Sequence, residues 1–112
     1  MNKYGNKKTI VDGISFDSRL EAKRYRELRL LERAGIIKDL QLQPAFELIP
    51  SFKKNGKTYR KTEYKADFSY FDNELGKVIV EDTKGFKTEV YKLKRKLFEY
   101  IYKDLEIKEV ER

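Results

Sequence analysis

Neither cysteine nor histidine occurs among the 112 residues of this chain. Disulfides, thiolate zinc sites, histidine general bases and Ser/His triads are thereby excluded together. Catalysis must then use carboxylates, Lys, Tyr or Ser, and a metal held by oxygen donors alone should be a hard ion, Mg²⁺ or Mn²⁺ rather than zinc. Long hydrophobic runs are missing too. No stretch approaches the ~20 apolar residues of a membrane span and no signal-peptide pattern is present, so a cytoplasmic location without membrane partners is expected. No pattern calls for an organic cofactor. There is no internal repeat, low-complexity segment or linker, and the length fits one domain over residues 1–112.

What the chain has in abundance is charge. Forty per cent of its residues are charged, 26 basic against 19 acidic, for a net charge of +7. An excess of that sign points to nucleic acid or another anionic surface. Eight Tyr and seven Phe argue against a disordered basic tail, because they supply apolar mass for a core.

The pattern along the chain predicts an α/β fold with a mixed central sheet flanked by helices. Thr9 to Phe16, broken by Asp12-Gly13, reads as a hairpin. Ser18-Arg19-Leu20-Glu21 matches a capping box, and Leu20, Tyr25, Leu28 and Leu31 follow at helical spacing to a stop at Ala34-Gly35. This first helix should carry Lys23, Arg24, Arg26, Arg29 and Arg33 on its outer face. From Ile36 to Ile49 the period is that of a strand, with Pro44 marking an edge or a bend. Pro50 to Lys57 reads as an exposed loop, and Thr58 to Phe71 as one long strand. Asp72 to Gly76 is a turn. Lys77 to Asp82 then returns as a central strand, apolar on both faces. A second helix from Thr88 to Lys103 should bury Val90, Leu93, Leu97 and Ile101, and Leu105 to Val110 can add a last strand. The expected order is ββ, α, three β, α, β.

The chemistry concentrates at Glu81-Asp82-Thr83-Lys84-Gly85. On a strand, Asp82 and Lys84 project to the same side. If the turn at 72–76 closes a hairpin, residues whose numbers sum to about 149 face one another, which brings Asp67 beside Asp82 or its neighbour, with Cβ atoms ~5 Å apart. Two such carboxylates repel unless a cation lies between them, and a divalent ion bridging both to a phosphate oxygen is the functional solution. Lys84 could then stabilise charge developing on the phosphoryl group or help hold the attacking water as hydroxide.

With these residues in place, the chain resembles the PD-(D/E)XK nuclease superfamily. The matching positions are Glu21 on the first helix, Asp67 on one strand, and Asp82 and Lys84 on the next. The resemblance is greatest to small phage-encoded endonucleases likened to archaeal Holliday junction resolvases, through Phe16 to Ala22, Gln43-Pro44, Ala66-Asp67-Phe68 and the stretch from Glu81 to Gly85. Ala66 stands where the motif's Pro would precede Asp67. The resemblance implies a restriction-endonuclease-like αβββαβ core behind an N-terminal hairpin, and Mg²⁺-dependent endonucleolytic hydrolysis of DNA phosphodiesters in a phage-infected bacterial cell. Asp67 and Asp82 would be metal ligands, Lys84 the catalytic lysine, and Glu21 would complete the shell. A homodimer is expected by analogy with junction-cleaving relatives, which must cut two strands.

Each residue also has a plainer explanation. Glu21 fits a capping box without any chemistry. Asp82 and Lys84 could be a same-face ion pair at a solvated strand end, worth ~0 to 1 kcal/mol. Glu81 should face away from Asp82, yet a bulge before Gly85 would let it serve as the ligand instead. Gln43 either positions backbone near the site or is a turn residue before proline. Lys87, Lys92, Lys94, Arg95 and Lys96 follow the acidic strand and could lie along a DNA backbone, while Lys53, Lys54, Lys57, Arg60 and Lys61 could clasp it. Nothing resembles a base-reading helix, so structure-directed cleavage is expected over sequence-specific cutting. The rivals are a non-catalytic basic nucleic-acid-binding module and a phage adaptor that docks on a host protein.

Overall fold

Asp12 and Gly13 both take left-handed backbone angles, φ 54° and 76°. The tight turn they form joins β1 (Thr9–Val11) to β2 (Ile14–Phe16), with Thr9 opposite Phe16. The computed structural model describes residues 8–83 and 87–110. Lys84 and Gly85 of the acidic motif lie outside them.

The first helix, α1 (Arg19–Arg33), starts where Ser18 accepts the Glu21 N–H at 3.1 Å. It ends in a Schellman arrangement, with the N–H of Gly35 (φ 77°) on the Glu32 carbonyl and that of Ile36 on the Leu31 carbonyl. Three further strands, β3 (Ile37–Leu42), β8 (Phe68–Asp72) and β9 (Lys77–Thr83), join β10 (Glu106–Val110) in a four-stranded sheet of order β10-β9-β8-β3. β9 runs parallel to β10 and antiparallel to β8, which is antiparallel to β3. The chain is thus mixed α/β, with two helices and mostly antiparallel strands among the described residues.

Period two along β9 divides the core. Ile79 belongs to the apolar cluster under α1, with Phe16, Ala22, Tyr25, Leu28, Ile37, Phe68 and Tyr70. Val80 belongs to the opposite cluster, with Leu48, Tyr64, Ala66 and the Tyr91 and Phe98 side chains of α2 (Glu89–Ile101). The central strand is buried on both faces, as its sequence predicts.

Three sequence expectations give way. The long strand from Thr58 to Phe71 is three strands, β6 (Lys57–Tyr59), β7 (Thr62–Lys65) and β8. β7 pairs with β4 (Ala45–Ile49) rather than continuing into the larger sheet. At Ala66 and Asp67 the chain changes partners, because the Ala66 N–H reaches the Pro44 carbonyl and the Asp67 N–H reaches that of Glu81. Alternation persists through such a switch, so periodicity alone does not reveal it. The expected loop from Pro50 to Lys57 contains β5 (Phe52–Lys54), which pairs with β6 across Asn55-Gly56. Among the described residues, seven strands rather than three therefore lie between the helices.

The buried side of α2 is also rotated from the expected one. Tyr91 and Phe98 are buried, whereas Val90, Leu93 and Ile101 are 64%, 57% and 42% exposed. Aromatic contacts explain the rotation: Phe98 meets Phe46 edge-on at 5.0 Å and lies 5.1 Å from Tyr102. Rings bury more apolar area than the aliphatic stripe could, so they set the seam. No helix among the described residues is long and apolar enough to cross a membrane.

Candidate active site

The neighbours Glu81 and Asp82, both fully buried, leave β9 on opposite faces. On the α1 side, Glu81 receives Arg24 Nε at 2.7 Å and Nη2 at 2.6 Å, and the Tyr70 hydroxyl donates to its Oε2. A buried carboxylate is tolerable only when paired and hydrogen-bonded, and these three donors satisfy that condition. Pairing with Glu81 raises Arg24's pKa, while burial and the same carboxylate raise that of Tyr70. Arg24 therefore does not lie on the outer face of the helix, as its charge suggested. Both Glu81 oxygens are engaged in a clamp between helix and strand, which assigns this residue a structural place.

On the other face, Asp82 Oδ2 accepts the Tyr64 hydroxyl at 2.7 Å. Burial and this carboxylate push the Tyr64 hydroxyl far above its ordinary range, so it stays a donor. Beyond Tyr64 an open cleft of about 450 Å³ runs between β7 and α2, lined by Lys65, Thr88, Val90, Tyr91 and Lys94 among others.

Asp67 occupies the strand switch. Residues Phe68 to Asp72 pair with Glu81 to Lys77 in the anticipated register, whose next step would be Asp67 with Asp82. Asp67 instead turns its carboxylate to Thr83, with Oδ2 accepting the Thr83 N–H at 2.7 Å and hydroxyl at 2.6 Å. Its carbonyl accepts the Gln43 N–H at 2.8 Å. Gln43, at φ 49°, thus meets the site through its backbone.

Glu21 serves two purposes at once. Its N–H completes the helix cap, while its side chain is only 5% exposed. Burial raises its pKa from 4.5 to about 7, assisted by the negative charges of Asp67, Asp17 and Asp82 and opposed by a hydrogen bond from the Asp17 backbone. Glu21 on α1 therefore feels the charges of Asp67 at the strand switch and of Asp82 on β9. Among the described residues no three acidic side chains stand close enough to share an ion.

The basic candidates separate by partner. Arg95 and Lys87 reach Glu109 at 2.7 and 3.2 Å, Lys92 reaches Glu89 at 3.4 Å, and Lys61 reaches Glu63 at 3.3 Å. Lys53, Lys54, Arg60 and Lys96 are exposed, and Lys57 lies 5.0 Å from the Tyr59 ring centroid. Burial opposes ionisation of Glu109, yet hydrogen bonds from Tyr91, Arg95 and Lys87 hold its carboxyl down at about 2. Two of the basic residues expected on DNA are thus committed to an internal carboxylate.

Sequence pattern puts Arg24 on the outer helix face and assigns Tyr64 and Tyr70 no role at the site. Arg24 carried a usable signal, since it lies three residues after Glu21 and hence on the same helix face. Tyr64 and Tyr70 keep the same phase in the alternating stretch, yet on either side of the strand switch they enter opposite core clusters, and in each a buried hydroxyl needs a partner.

The arrangement defines a small mixed α/β protein with carboxylates gathered at one end of its central strand. Over residues 1–112 the chain matches the family described as "Protein of unknown function (DUF1064)", and it belongs to that family. No curated protein and no solved structure matches it.

Proposed function

We propose that this protein is a metal-dependent endodeoxyribonuclease of the PD-(D/E)XK kind, acting on branched or junction DNA in phage recombination or replication. The observation that carries this reading is that Glu21 on α1 lies within electrostatic reach of Asp67 at the strand switch and Asp82 on β9, so that burial, reinforced by those negative charges, raises its pKa to about 7. The repulsive share of that shift would be relieved by a cation. The oxygen-only donor set suits Mg²⁺ or Mn²⁺, which when bound would polarise a phosphate and acidify the attacking water. The order α1, β3, β8, β9, α2, β10 around the four-stranded sheet fits an αβββαβ core.

The roles of the chain's own groups follow from their places. Tyr64 keeps one Asp82 oxygen fixed, Thr83 orients Asp67, and the Arg24–Glu81 clamp ties α1, which carries Glu21, to β9, which carries Asp82. Lys84, one residue past Thr83 in the chain, would supply positive charge to the phosphoryl group. Lys65 and Lys94 flank the cleft beside Tyr64 and would guide the DNA backbone. Two copies acting together would cut both strands of a junction.

Two observations favour the non-catalytic binding module: Asp67's carboxylate is already engaged by Thr83, and no acidic triad at ligating distance occurs among the described residues. Cleavage assays decide between the readings. Labelled duplex, single-stranded, flap and four-way-junction DNA, incubated with Mg²⁺, Mn²⁺ or EDTA, should yield metal-dependent products on branched forms. Asp67→Asn, Asp82→Asn and Lys84→Ala should each lose at least ~10²-fold in rate, in line with the loss of one electrostatic catalytic group, while binding in EDTA persists. Inactivity of the wild type on all four substrates, or full activity of the Lys84 variant, would overturn the assignment.

A further inference from the structure

The hairpin β5–β6 contributes nothing to either core cluster, and residues 51–60 are all exposed. At its base Phe52 and Tyr59 are register partners whose rings lie nearly parallel, 10° apart with centroids at 4.8 Å. They remain 45% and 39% exposed. Two residues further, Lys54 and Lys57 oppose each other across the Asn55-Gly56 turn. Like charges directly across a ladder are destabilising. Period two places this lysine pair on the same face as the ring pair. From 50 to 62 the chain carries five basic residues and no acidic one.

A cross-strand aromatic pair can staple a hairpin, but that purpose is independent of the facing lysines. Exposed π surface beside two lysines that have no acidic partner among the described residues, Lys57 lying 5.0 Å from the Tyr59 ring centroid, matches one chemistry above all, a nucleotide whose base is free to stack and whose phosphates are held alongside. Bases in an intact duplex already stack on one another and offer only phosphates. We propose that this hairpin face binds unpaired nucleotides, with a base stacking on the Phe52–Tyr59 pair and flanking phosphates on Lys54 and Lys57. The inference rests on nucleic acid as the partner in the proposed function and specifies its form: single-stranded segments such as those at flaps and opened junctions.

The test is fluorescence anisotropy of the full chain with labelled oligo-dT and with a blunt duplex of equal length, both in EDTA so that nothing is cut. The Phe52→Ala/Tyr59→Ala variant should lose roughly 5- to 100-fold in affinity for oligo-dT, as removal of a stacking platform does, with little change on duplex. Phe52→Leu/Tyr59→Val keeps an apolar cross-strand contact without a π face and should lose as much. Phe52→Tyr should retain binding. Lys54→Ala/Lys57→Ala should weaken both ligands and flatten the salt dependence. Retained oligo-dT binding in the Leu/Val variant, or equal losses on both ligands, overturns the inference. Ring variants that still bind oligo-dT while Asp82→Asn abolishes cleavage refute the stacking site alone; loss of oligo-dT binding in the ring variants, with a wild type that binds it but cuts nothing, refutes the nuclease alone.

Discussion

Arg24 grips Glu81 with two parallel hydrogen bonds, at 2.7 and 2.6 Å, one residue before Asp82 in the same strand. The pair is the only ion pair between α1 and β9 among the described residues, and the Glu81 side chain is wholly buried. Removing the guanidinium would strand a carboxylate in the core. Arg24→Ala should therefore cost about 3–5 kcal/mol in urea unfolding, the usual penalty for an uncompensated buried charge. Arg24→Lys, which cannot bond in the same forked geometry, should fall between the two. A loss below about 1 kcal/mol for the Ala variant would mean that water replaces Arg24 at no penalty.

Metal binding can be read without any cleavage. If Glu21, Asp67 and Asp82 hold Mg²⁺, saturating ion should raise the wild-type melting temperature, since ligand at 100 times its Kd adds about 2.7 kcal/mol. Asp67→Asn and Asp82→Asn should abolish most of that rise. In EDTA the same variants remove a negative charge acting on Glu21, so the electrostatic cost of ionising it should fall. A wild type whose melting is indifferent to millimolar Mg²⁺ and Mn²⁺ would support the binding module.

Glu109 provides a pH signature away from the acidic site. Its folded pKa, about 2, lies below the ordinary 4.5 because Tyr91, Arg95 and Lys87 outweigh burial. A depressed carboxylate contributes stability that is complete above pH 4.5 and drains away as pH falls toward 2. Glu109→Gln should be less stable than wild type at pH 7 by about 2 kcal/mol, the scale of a charged hydrogen bond. Urea midpoints across pH should then bring the two curves together near pH 2. Parallel curves over that range would show that the triple contact is not a net contributor.

Local signals in the sequence located much of this fold. Asp12-Gly13, Ser18 and Ala34-Gly35 announced the first hairpin and both ends of α1, and the turn at 72–76 gave the β8–β9 register that brings Asp67 to the strand switch near Thr83. These are short-range features whose backbone preferences survive in any context. Two others depended on distant partners. The chain switches sheets at Asp67 because Pro44 and Glu81, 23 positions before it and 14 after, supply carbonyls there. The buried face of α2 is selected by Phe46, which no inspection of residues 88–103 could reveal. Arg24 looked like one more solvated cation until its buried acid came into view.

The opposite facing of Glu81 and Asp82 also bears on how such a protein can diverge. Insertions in the turn at Asn73 to Gly76 would lengthen a surface feature and leave both acids where they are. A single residue gained between Val80 and Glu81 would exchange their sides, sending the clamp acid toward the cleft beside Tyr64 and the proposed ligand against Arg24. Descendants of this chain are therefore expected to vary freely at that turn while keeping the reading frame of the central strand unchanged.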